Sequence, residues 1–316
     1  MSTRIVTSRL PSVPRIPGLC RFFSAAARAQ NTGGVKQLGV LGAGQMGLGI
    51  AFVAALVSKV PVVLYDSSEA SISKSLGFLE KLLQKDVAKG KYTQAVADQV
   101  AKLIEPTMKF DSIFASDFII EAVPEIVSLK CEIFGKLAAG AKRDTILSTN
   151  TSSISITKIA AAAKGAEDRV VSTHFMNPVP VQKGVEIISG LQTSRETVDR
   201  AIEFVKSMGK LPSVSTDNPG FIANRILIPY INEAIICLET GVGQKEDIDN
   251  IMRHGCAMPM GPLALADFIG LDTCLAIMNV LYTQTGDSKY RPAVLLQKMV
   301  AAGWLGVKSK KGFYDY

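Results

Sequence analysis

Histidine is scarce in this chain, since 316 residues contain only two histidines, five cysteines and one tryptophan. No two cysteines form a C-x-x-C pair, and neither histidine, His174 or His254, stands in a cluster with them. The sequence therefore offers no ligand set of the kind that binds zinc, and we expect no metal. We expect reduced thiols in apolar helical cores at the cysteines beyond the N-terminal segment: Cys131, Cys237, Cys256 and Cys274.

Acidic residues are missing from the start of the chain, where no Asp or Glu precedes Asp66. Residues 1–33 hold five arginines, and without them the net charge falls from +7 to +2. The basic balance is thus local, and we expect no nucleic-acid partner. An acid-free segment rich in Arg, Ser and Ala is typical of a mitochondrial transit peptide, which predicts a location in the mitochondrial matrix. An unstructured basic arm is the alternative.

One charge-free stretch, Leu38–Val57, has the twenty residues that could span a bilayer. It contains five glycines and Gln45, however, and the glycines have a better explanation in the motif described below. No later stretch is long and apolar enough for a second span. The sequence therefore predicts no transmembrane segment.

Alternating strand and helix patterns predict a doubly wound α/β fold of the Rossmann type over residues 34–216. Ser71–Lys102 has leucines at helical spacing and a Gly90 break, so we expect a pair of helices that protrudes as an arm over about residues 71–102. We expect strands at Val35–Leu41, Pro61–Tyr65, Phe118–Ala122, Thr145–Ser148, Arg169–Thr173, Val185–Ser189 and Leu211–Ser215.

Residues 217–316 contain no strand pattern and predict a smaller, all-helical C-terminal domain. We expect a long helix with Pro219 in its first turn, Pro229 inside it, and its end near Thr240. The remaining helices are expected at about Lys245–His254, Pro262–Phe268, Asp272–Tyr282 and Pro292–Ala302.

The first motif with chemical meaning is Gly42-Ala43-Gly44-Gln45-Met46-Gly47, which lies between a predicted strand and a predicted helix. In a dinucleotide-binding turn, Gly42 allows the tight turn, Gly44 lets the pyrophosphate approach, and Gly47 lets helix and strand pack closely. Asp66 ends the next strand and can accept hydrogen bonds from the adenosine ribose. Its carboxylate disfavours a 2′-phosphate, so the sequence predicts NAD as cofactor.

Polar residues follow two later strands at the edge where open α/β folds bind their ligands. Asn150-Thr151-Ser152-Ser153 follows Thr145–Ser148, and His174 follows Arg169–Thr173. A histidine there is suited to general-base catalysis near neutral pH. Glu186, on the next strand, is the best-placed acid to hold its tautomer. A satisfied structural histidine is the alternative, and we expect that simpler role for His254.

The chain resembles the short-chain L-3-hydroxyacyl-CoA dehydrogenases, of the 3-hydroxybutyryl-CoA dehydrogenase type, over nearly all of residues 35–316. The resemblance rests on several motifs in the same order, which are Gly39–Ile50, Glu121–Glu125, Asn150–Ser153, His174–Glu186, Asn218–Arg225, Met260-Gly261-Pro262 and Gly312-Phe313-Tyr314. It implies NAD-dependent oxidation of a 3-hydroxyacyl-CoA, as in fatty-acid β-oxidation or short-chain acyl-CoA metabolism. It also implies a homodimer, with residues 217–316 as the domain for substrate binding and dimerisation.

The resemblance assigns roles to individual residues. His174 takes the proton of the 3-hydroxyl and is paired with Glu186, while Ser152 and Asn224 hold the reacting oxygen. The positions that resemble the nicotinamide end of the NAD site are Glu125, Lys130, Asn150, Ser152 and Asn177. Lys89 resembles a contact to the CoA phosphates and adenine, and a solvated lysine is the alternative there.

Two departures from the family pattern flank the catalytic strands: Met176 stands where Phe is common, and Gly184 where a larger apolar residue is common. Both leave the preferred acyl length open. Two other functions also stay open on the residues alone. One is a dehydrogenase of a free hydroxy acid or sugar acid, and the other is a non-catalytic NAD-binding protein with the same fold.

Overall fold

The computed structural model describes residues 31–316, so the predicted leader, residues 1–33, lies outside the described residues except for its last three. The described chain begins with an eight-stranded sheet flanked by helices and ends in a group of helices. The predicted fold class is confirmed. The sheet consists of β1 (Leu38–Leu41), β2 (Val62–Tyr65), β3 (Ile104–Thr107), β4 (Phe118–Glu121), β5 (Ile146–Thr149), β6 (Val170–Phe175), β7 (Gly184–Ser189) and β8 (Leu211–Thr216).

The spatial order of the strands is β3-β2-β1-β4-β5-β6-β7-β8. The strands from β3 through β6 in that order run parallel, β7 runs antiparallel to β6, and β8 runs parallel to β7. Every residue of β1, β4, β5 and β6 is buried because helices cover both faces. The order reverses between β1 and β4, so a ligand crevice is expected at the carboxyl ends of these strands.

Successive residues of a strand point to opposite faces, and each face has its own apolar core. Val40 and Ile120 belong to one core, which includes the helices α1 (Gln45–Val53, continued as a π-helix over Ala54–Ser58) and α6 (Arg195–Ser207). Ile119 and Leu147 belong to the other core, with α4 (Val127–Gly140) and α5 (Ile156–Ala162). Short 3₁₀ helices at Phe110–Ala115 and Glu167–Arg169 complete this part.

The predicted pair of helices is present as α2 (Glu69–Ala88) and α3 (Gln94–Leu103). Leu79 and Leu83 of α2 and Val100 of α3 belong to the same apolar core as α1 and α6. The helix α3 continues directly into β3, a strand that was not predicted. The strand β3 was missed because it has only four residues, with Pro106 among them.

The C-terminal part is helical, as predicted, and has a third apolar core that includes Ile235, Leu263 and Met278. The helix α7 begins at Ala223, so the prediction of Pro219 in its first turn is wrong: residues 218–222 form a turn before it. Pro229 lies inside the helix as predicted. The elements are α7 (Ala223–Glu239), α8 (Lys245–Asn250) with a π-helix at Ile251–Gly255, α9 (Pro262–Ile269), α10 (Leu271–Thr285), α11 (Val294–Ala301), and 3₁₀ helices at Ser288–Tyr290 and Val307–Ser309.

The four cysteines within residues 31–316 are free thiols. Cys274 is buried and Cys131 and Cys237 are half-buried, but Cys256 is exposed. The expectation of a core position is therefore wrong for Cys256, since it follows the end of the π-helix in a mostly exposed segment.

Across residues 31–316, no individual helix combines the length and the apolar character needed to cross a membrane. The consecutive helices α9 and α10 reach that length and composition only as a pair, with a bend of 96° between them.

Candidate active site

The glycine-rich turn between β1 and α1 has the geometry that a dinucleotide requires. Gly42 has φ of +97°, and a Cβ there would lie 2.7 Å from the carbonyl oxygen of Ala122. A Cβ on Gly47 would lie 1.8 Å from the carbonyl oxygen of Gly42, so a side chain at either glycine would collide with backbone. A Cβ on Gly44 meets no atom within 4 Å. Space for a ligand is thus left at the middle glycine.

The N-terminus of α1 has no side-chain cap, so its first amides, including those of Gln45 and Met46, have no side-chain acceptor. Such a helix end favours a phosphate. Asp66 is held beside it, because its Oδ2 accepts a hydrogen bond from the amide of Ala43 at 2.8 Å and its Oδ1 from the amide of Ser68 at 2.9 Å. The turn, the helix end and the carboxylate together fit NAD.

A buried ionic network lies at the carboxyl end of β4. The ammonium of Lys130 is 2.7 Å from Oε1 of Glu121 and 3.3 Å from Oε2 of Glu125, and the side chains of Lys130 and Glu121 are completely buried. Glu121 also accepts hydrogen bonds from the amide of Val123 and from the hydroxyl of Thr149, both at 2.7 Å. Because Lys130 has no exposed surface, it reaches the crevice only through Glu125.

Glu125 connects this network to the loop that follows β5. Its Oε1 accepts hydrogen bonds from the hydroxyl of Thr151 at 2.5 Å, the amide of Ser152 at 2.9 Å and the hydroxyl of Ser153 at 3.1 Å. Burial alone would raise the pKa of Glu125, but the charge of Lys130 and these hydrogen bonds outweigh it and lower the pKa. The carboxylate therefore stays ionised and fixes the backbone around Ser152.

His174 is the penultimate residue of β6 and lies directly opposite Glu186 in the antiparallel register with β7. Its Nδ1 is 2.8 Å from Oε2 of Glu186, and both side chains are largely buried. Within residues 31–316, Nε2 of His174 has no hydrogen-bond partner. A proton on Nδ1 that is donated to the carboxylate leaves Nε2 as an acceptor, which is the form that a general base needs.

The other oxygen of Glu186 joins the sheet to the helical part of the chain. Its Oε1 accepts hydrogen bonds from the amides of Ile222 at 2.8 Å and Ala223 at 2.9 Å. Burial raises the pKa of Glu186, but the bond to His174 and these two amides outweigh it, so the pKa lies below its usual value. Phe221, the residue before these two amides, has a left-handed backbone conformation with φ of +49°. The centroid of its ring lies 6.2 Å from that of the His174 imidazole, in an edge-on arrangement.

The remaining predicted residues lie around this pair, with one exception. The side-chain nitrogen Nδ2 of Asn224 donates a hydrogen bond to the backbone carbonyl of Ser152 at 3.2 Å. Oδ1 of Asn150 accepts one from the backbone amide of Phe175 at 2.8 Å. Nε2 of Gln45 donates to Oδ1 of Asn177 at 3.1 Å. Lys89 lies exposed at the C-terminal end of α2, and no contact joins it to this cluster within the described chain.

Sequence reasoning missed two residues of the site. Glu121 belonged to a quoted motif and ends a strand, a signal that could have identified it. Phe221 also belonged to a quoted motif, Asn218–Arg225, but its left-handed conformation and its place beside His174 are not visible in sequence. Of the two departures, Met176 is half-buried and Gly184 is exposed, with open space where a Cβ would be. His254 is exposed, and residues 31–316 contain no group of three or more possible metal ligands.

Comparison with known proteins gives two family matches that together cover nearly all of the described chain. Residues 37–218 match the 3-hydroxyacyl-CoA dehydrogenase NAD binding domain, and residues 220–316 match the 3-hydroxyacyl-CoA dehydrogenase C-terminal domain. A probable 3-hydroxybutyryl-CoA dehydrogenase of Bacillus subtilis is 49% identical over 282 residues, which cover 89% of this chain and 98% of the relative.

Similarity extends to a human protein and to a solved structure. The mitochondrial hydroxyacyl-coenzyme A dehydrogenase of Homo sapiens is 39% identical over 290 residues, with 89% of this chain and 91% of the human protein covered. The crystal structure of (S)-3-hydroxybutyryl-CoA dehydrogenase from Ralstonia eutropha superposes with a TM-score of 0.86 at 44% identity, covering 89% of this chain and 99% of that one. Sequence and structural similarity thus point to the same group of proteins.

Proposed function

The chain belongs to the 3-hydroxyacyl-CoA dehydrogenase family, and on that premise we propose that it oxidises L-3-hydroxyacyl-CoA to 3-ketoacyl-CoA with His174 as the general base. The cofactor is NAD. The observation that carries the proposal is the 2.8 Å bond between His174 and Glu186 at the edge of the sheet where the dinucleotide turn also lies. The same residues serve the reverse reduction.

The proposed chemistry at His174 follows from its tautomer. With its Nδ1 proton donated to Glu186, Nε2 accepts the proton of the substrate 3-hydroxyl while NAD supplies the hydride acceptor. The imidazolium that forms is stabilised by the carboxylate, which is ionised because its pKa is lowered. In the reduction, the imidazolium returns this proton to the oxygen. Glu186 is a positioning residue in this scheme, since it acts through His174.

Ser152 and Asn224 are proposed to hold the reacting oxygen. The side-chain amide of Asn224, in the first turn of α7, donates to the backbone carbonyl of Ser152 at 3.2 Å, so the two residues are neighbours. The second N–H of the Asn224 side-chain amide has no acceptor within residues 31–316, and the hydroxyl of Ser152 makes only a long hydrogen bond, 3.3 Å, to Glu125, so both donors are available to a ligand oxygen. Donors fixed before the reaction stabilise the charge that develops on oxygen.

We propose that Glu125, Asn150 and Asn177 line the nicotinamide end of the NAD site, and that Lys130 contributes by fixing Glu125. The support is their position after β4, β5 and β6, at the carboxyl ends of neighbouring parallel strands. Lys89 is proposed to contact the CoA phosphates. It is exposed and lies near other lysines of α2, which makes it available to a polyanion.

We further propose a four-carbon acyl group, a homodimer and a location in the mitochondrial matrix. Relatives named 3-hydroxybutyryl-CoA dehydrogenase, at 49% and 48% identity, favour a four-carbon acyl group. Exposed apolar side chains on the helical part, Ile226 and Val242 among them, support a homodimer, which light scattering would test. The acid-free leader and the mitochondrial human relative support the mitochondrial matrix, which an import assay with and without residues 1–33 would test.

The experiment that tests the function follows the absorbance of NADH with the full chain near neutral pH. Acetoacetyl-CoA is compared with longer 3-ketoacyl-CoA thioesters and with free acetoacetate. We expect rapid oxidation of NADH with the thioesters, fastest with acetoacetyl-CoA, and little with the free acid. Turnover of free acetoacetate alone would instead establish a dehydrogenase of free acids. NADH binding without any turnover would establish a non-catalytic NAD-binding protein.

A further inference from the structure

Lys210 is a buried lysine that the proposed mechanism does not use. It lies one residue before β8 and is only 6% exposed. Its ammonium donates to the carbonyl oxygen of Gln182 at 2.7 Å and to that of Val179. Within residues 31–316, no carboxylate pairs with it. Its burial lowers its pKa, as expected for an ammonium without a counter-charge.

The two acceptors belong to the loop at residues 176–183, which connects β6, with His174, to β7, with Glu186. This loop also packs against the dinucleotide turn. The side chain of Asn177 accepts a hydrogen bond from Gln45 at 3.1 Å, in the first turn of α1. Val179 is buried against the same helix, where a Cβ on Gly49 would come within 2.9 Å of it. The loop thus touches the proposed NAD site on one side and Lys210 on the other.

The energetics indicate that Lys210 has a task beyond packing. Burial of an ammonium costs free energy unless hydrogen bonds replace its water. An apolar side chain of similar length would avoid that cost. Lys210 instead satisfies the carbonyl of Val179, to which no backbone amide of the described chain donates. A charged donor holds two carbonyls more strongly than a neutral one, so it restricts the loop at its middle and near its C-terminal end.

We propose that Lys210 is a positioning residue for cofactor binding: by holding the carbonyls of Val179 and Gln182 it keeps Asn177 against Gln45 at the dinucleotide turn. The inference rests on NAD binding, and it does not depend on which substrate the proposed function names. Lys210 touches neither cofactor nor substrate in this account. Its effect passes through the loop.

The test measures the dissociation constant of NADH by fluorescence titration. For Lys210→Met we expect the affinity to fall by about tenfold, the equivalent of one charge-assisted hydrogen bond. Lys210→Arg keeps the charge and donors and is expected to retain most of the affinity. Lys206→Met removes an exposed lysine of α6 and serves as the matched control, with no change expected. Thermal unfolding of each variant is recorded beside the titration.

A double-mutant cycle separates positioning from a merely structural role. If Lys210 acts through the contact between Asn177 and Gln45, the loss of NADH binding free energy in the double variant is expected to be smaller than the sum of the losses in Lys210→Met and Gln45→Ala. Additive losses, or wild-type affinity in a folded Lys210→Met protein, would overturn the inference. If Lys210→Met does not fold, Lys210→Gln, which loses the charge but keeps a polar side chain, replaces it in the cycle, and coupling or additivity with Gln45→Ala decides in the same way.

The outcomes for this inference and for the proposed function are distinguishable. A wild-type protein that binds NADH but reduces no thioester rejects the proposed substrate and leaves the role of Lys210 standing. A Lys210→Met protein with unchanged NADH affinity rejects the role of Lys210 and leaves the proposed substrate standing.

Discussion

Glu186 lies directly opposite His174 between two antiparallel strands, and its Oε2 is 2.8 Å from Nδ1 of the imidazole. The reversal of β7 produces this pairing, because it brings the start of β7 beside the carboxyl end of β6. The second carboxylate oxygen accepts hydrogen bonds from the backbone amides of Ile222 and Ala223 at the start of α7. One side chain therefore orients the proposed base and ties the sheet to the helical part.

Replacement of Glu186 by Gln tests this double role. The amide keeps the shape but loses the charge that fixes the tautomer of His174, so we expect kcat to fall by about one to three orders of magnitude. Steady-state kinetics with acetoacetyl-CoA would measure the loss, with the exposed Glu239→Gln as control. Unchanged kcat would show that the proposed base does not need the carboxylate.

The same variant makes a prediction about stability in acid. The pKa of Glu186 is lowered from 4.5, so above that pH its ionised form stabilises the fold, and this stabilisation is lost as pH falls through the folded pKa. Glu186→Gln lacks this contribution. Its free energy of unfolding in urea should fall less steeply than that of the wild type between about pH 5 and pH 3. Parallel curves would contradict the lowered pKa.

Replacement of Asp66 by Ala tests the cofactor site. Loss of the carboxylate removes the expected bonds to the adenosine ribose and the repulsion of a 2′-phosphate. We expect NAD affinity to fall roughly ten- to a hundredfold and the preference over NADP to narrow. Binding titrations with both cofactors would measure this, with the exposed Asp111→Ala as control. An unchanged ratio of the two affinities would exclude Asp66 from cofactor selection.

Replacement of Lys130 by Met tests the buried network. Glu121 would remain as a buried carboxylate without a cation, so we expect a loss of about 3–5 kcal/mol in the free energy of unfolding. The double variant Lys130→Met/Glu121→Gln should recover part of that loss. Lys136→Met, on the exposed side of α4, should unfold close to the wild type. A Lys130→Met protein as stable as the wild type would mean that the ion pair between Lys130 and Glu121 contributes nothing to the free energy of unfolding.

Much of the fold could be predicted because its signals are local. The apolar strands, the capped helices and the glycine turn depend on residues within a few positions of one another. The pairing of His174 with Glu186 was expected from neighbouring strands, and the structure contains it as a hydrogen bond. The antiparallel direction of β7 was not predicted, since it depends on how the 176–183 loop packs.

The rest could not be predicted because it depends on tertiary contacts. Lys210 looks like a solvated lysine in sequence, yet it is buried on carbonyls about thirty residues earlier in the chain. The resemblance singled out Lys130, but no local pattern shows that its side chain is completely buried against Glu121. The strand β3 is short, contains Pro106 and follows a helix without a loop, so no apolar run marks it. Pro219 looked like a helix start, but the chain makes a further turn, with Phe221 in a left-handed conformation, before α7 begins.

The variant His174→Gln tests whether His174 is the base of an NAD-dependent 3-hydroxyacyl-CoA dehydrogenase. The exposed His254→Gln is the matched control, since it removes the only other histidine. If His174 is the base, kcat with acetoacetyl-CoA falls by about two to four orders of magnitude in His174→Gln, while its NADH dissociation constant stays near the wild-type value and His254→Gln behaves as wild type. Near-normal turnover in His174→Gln would contradict that role.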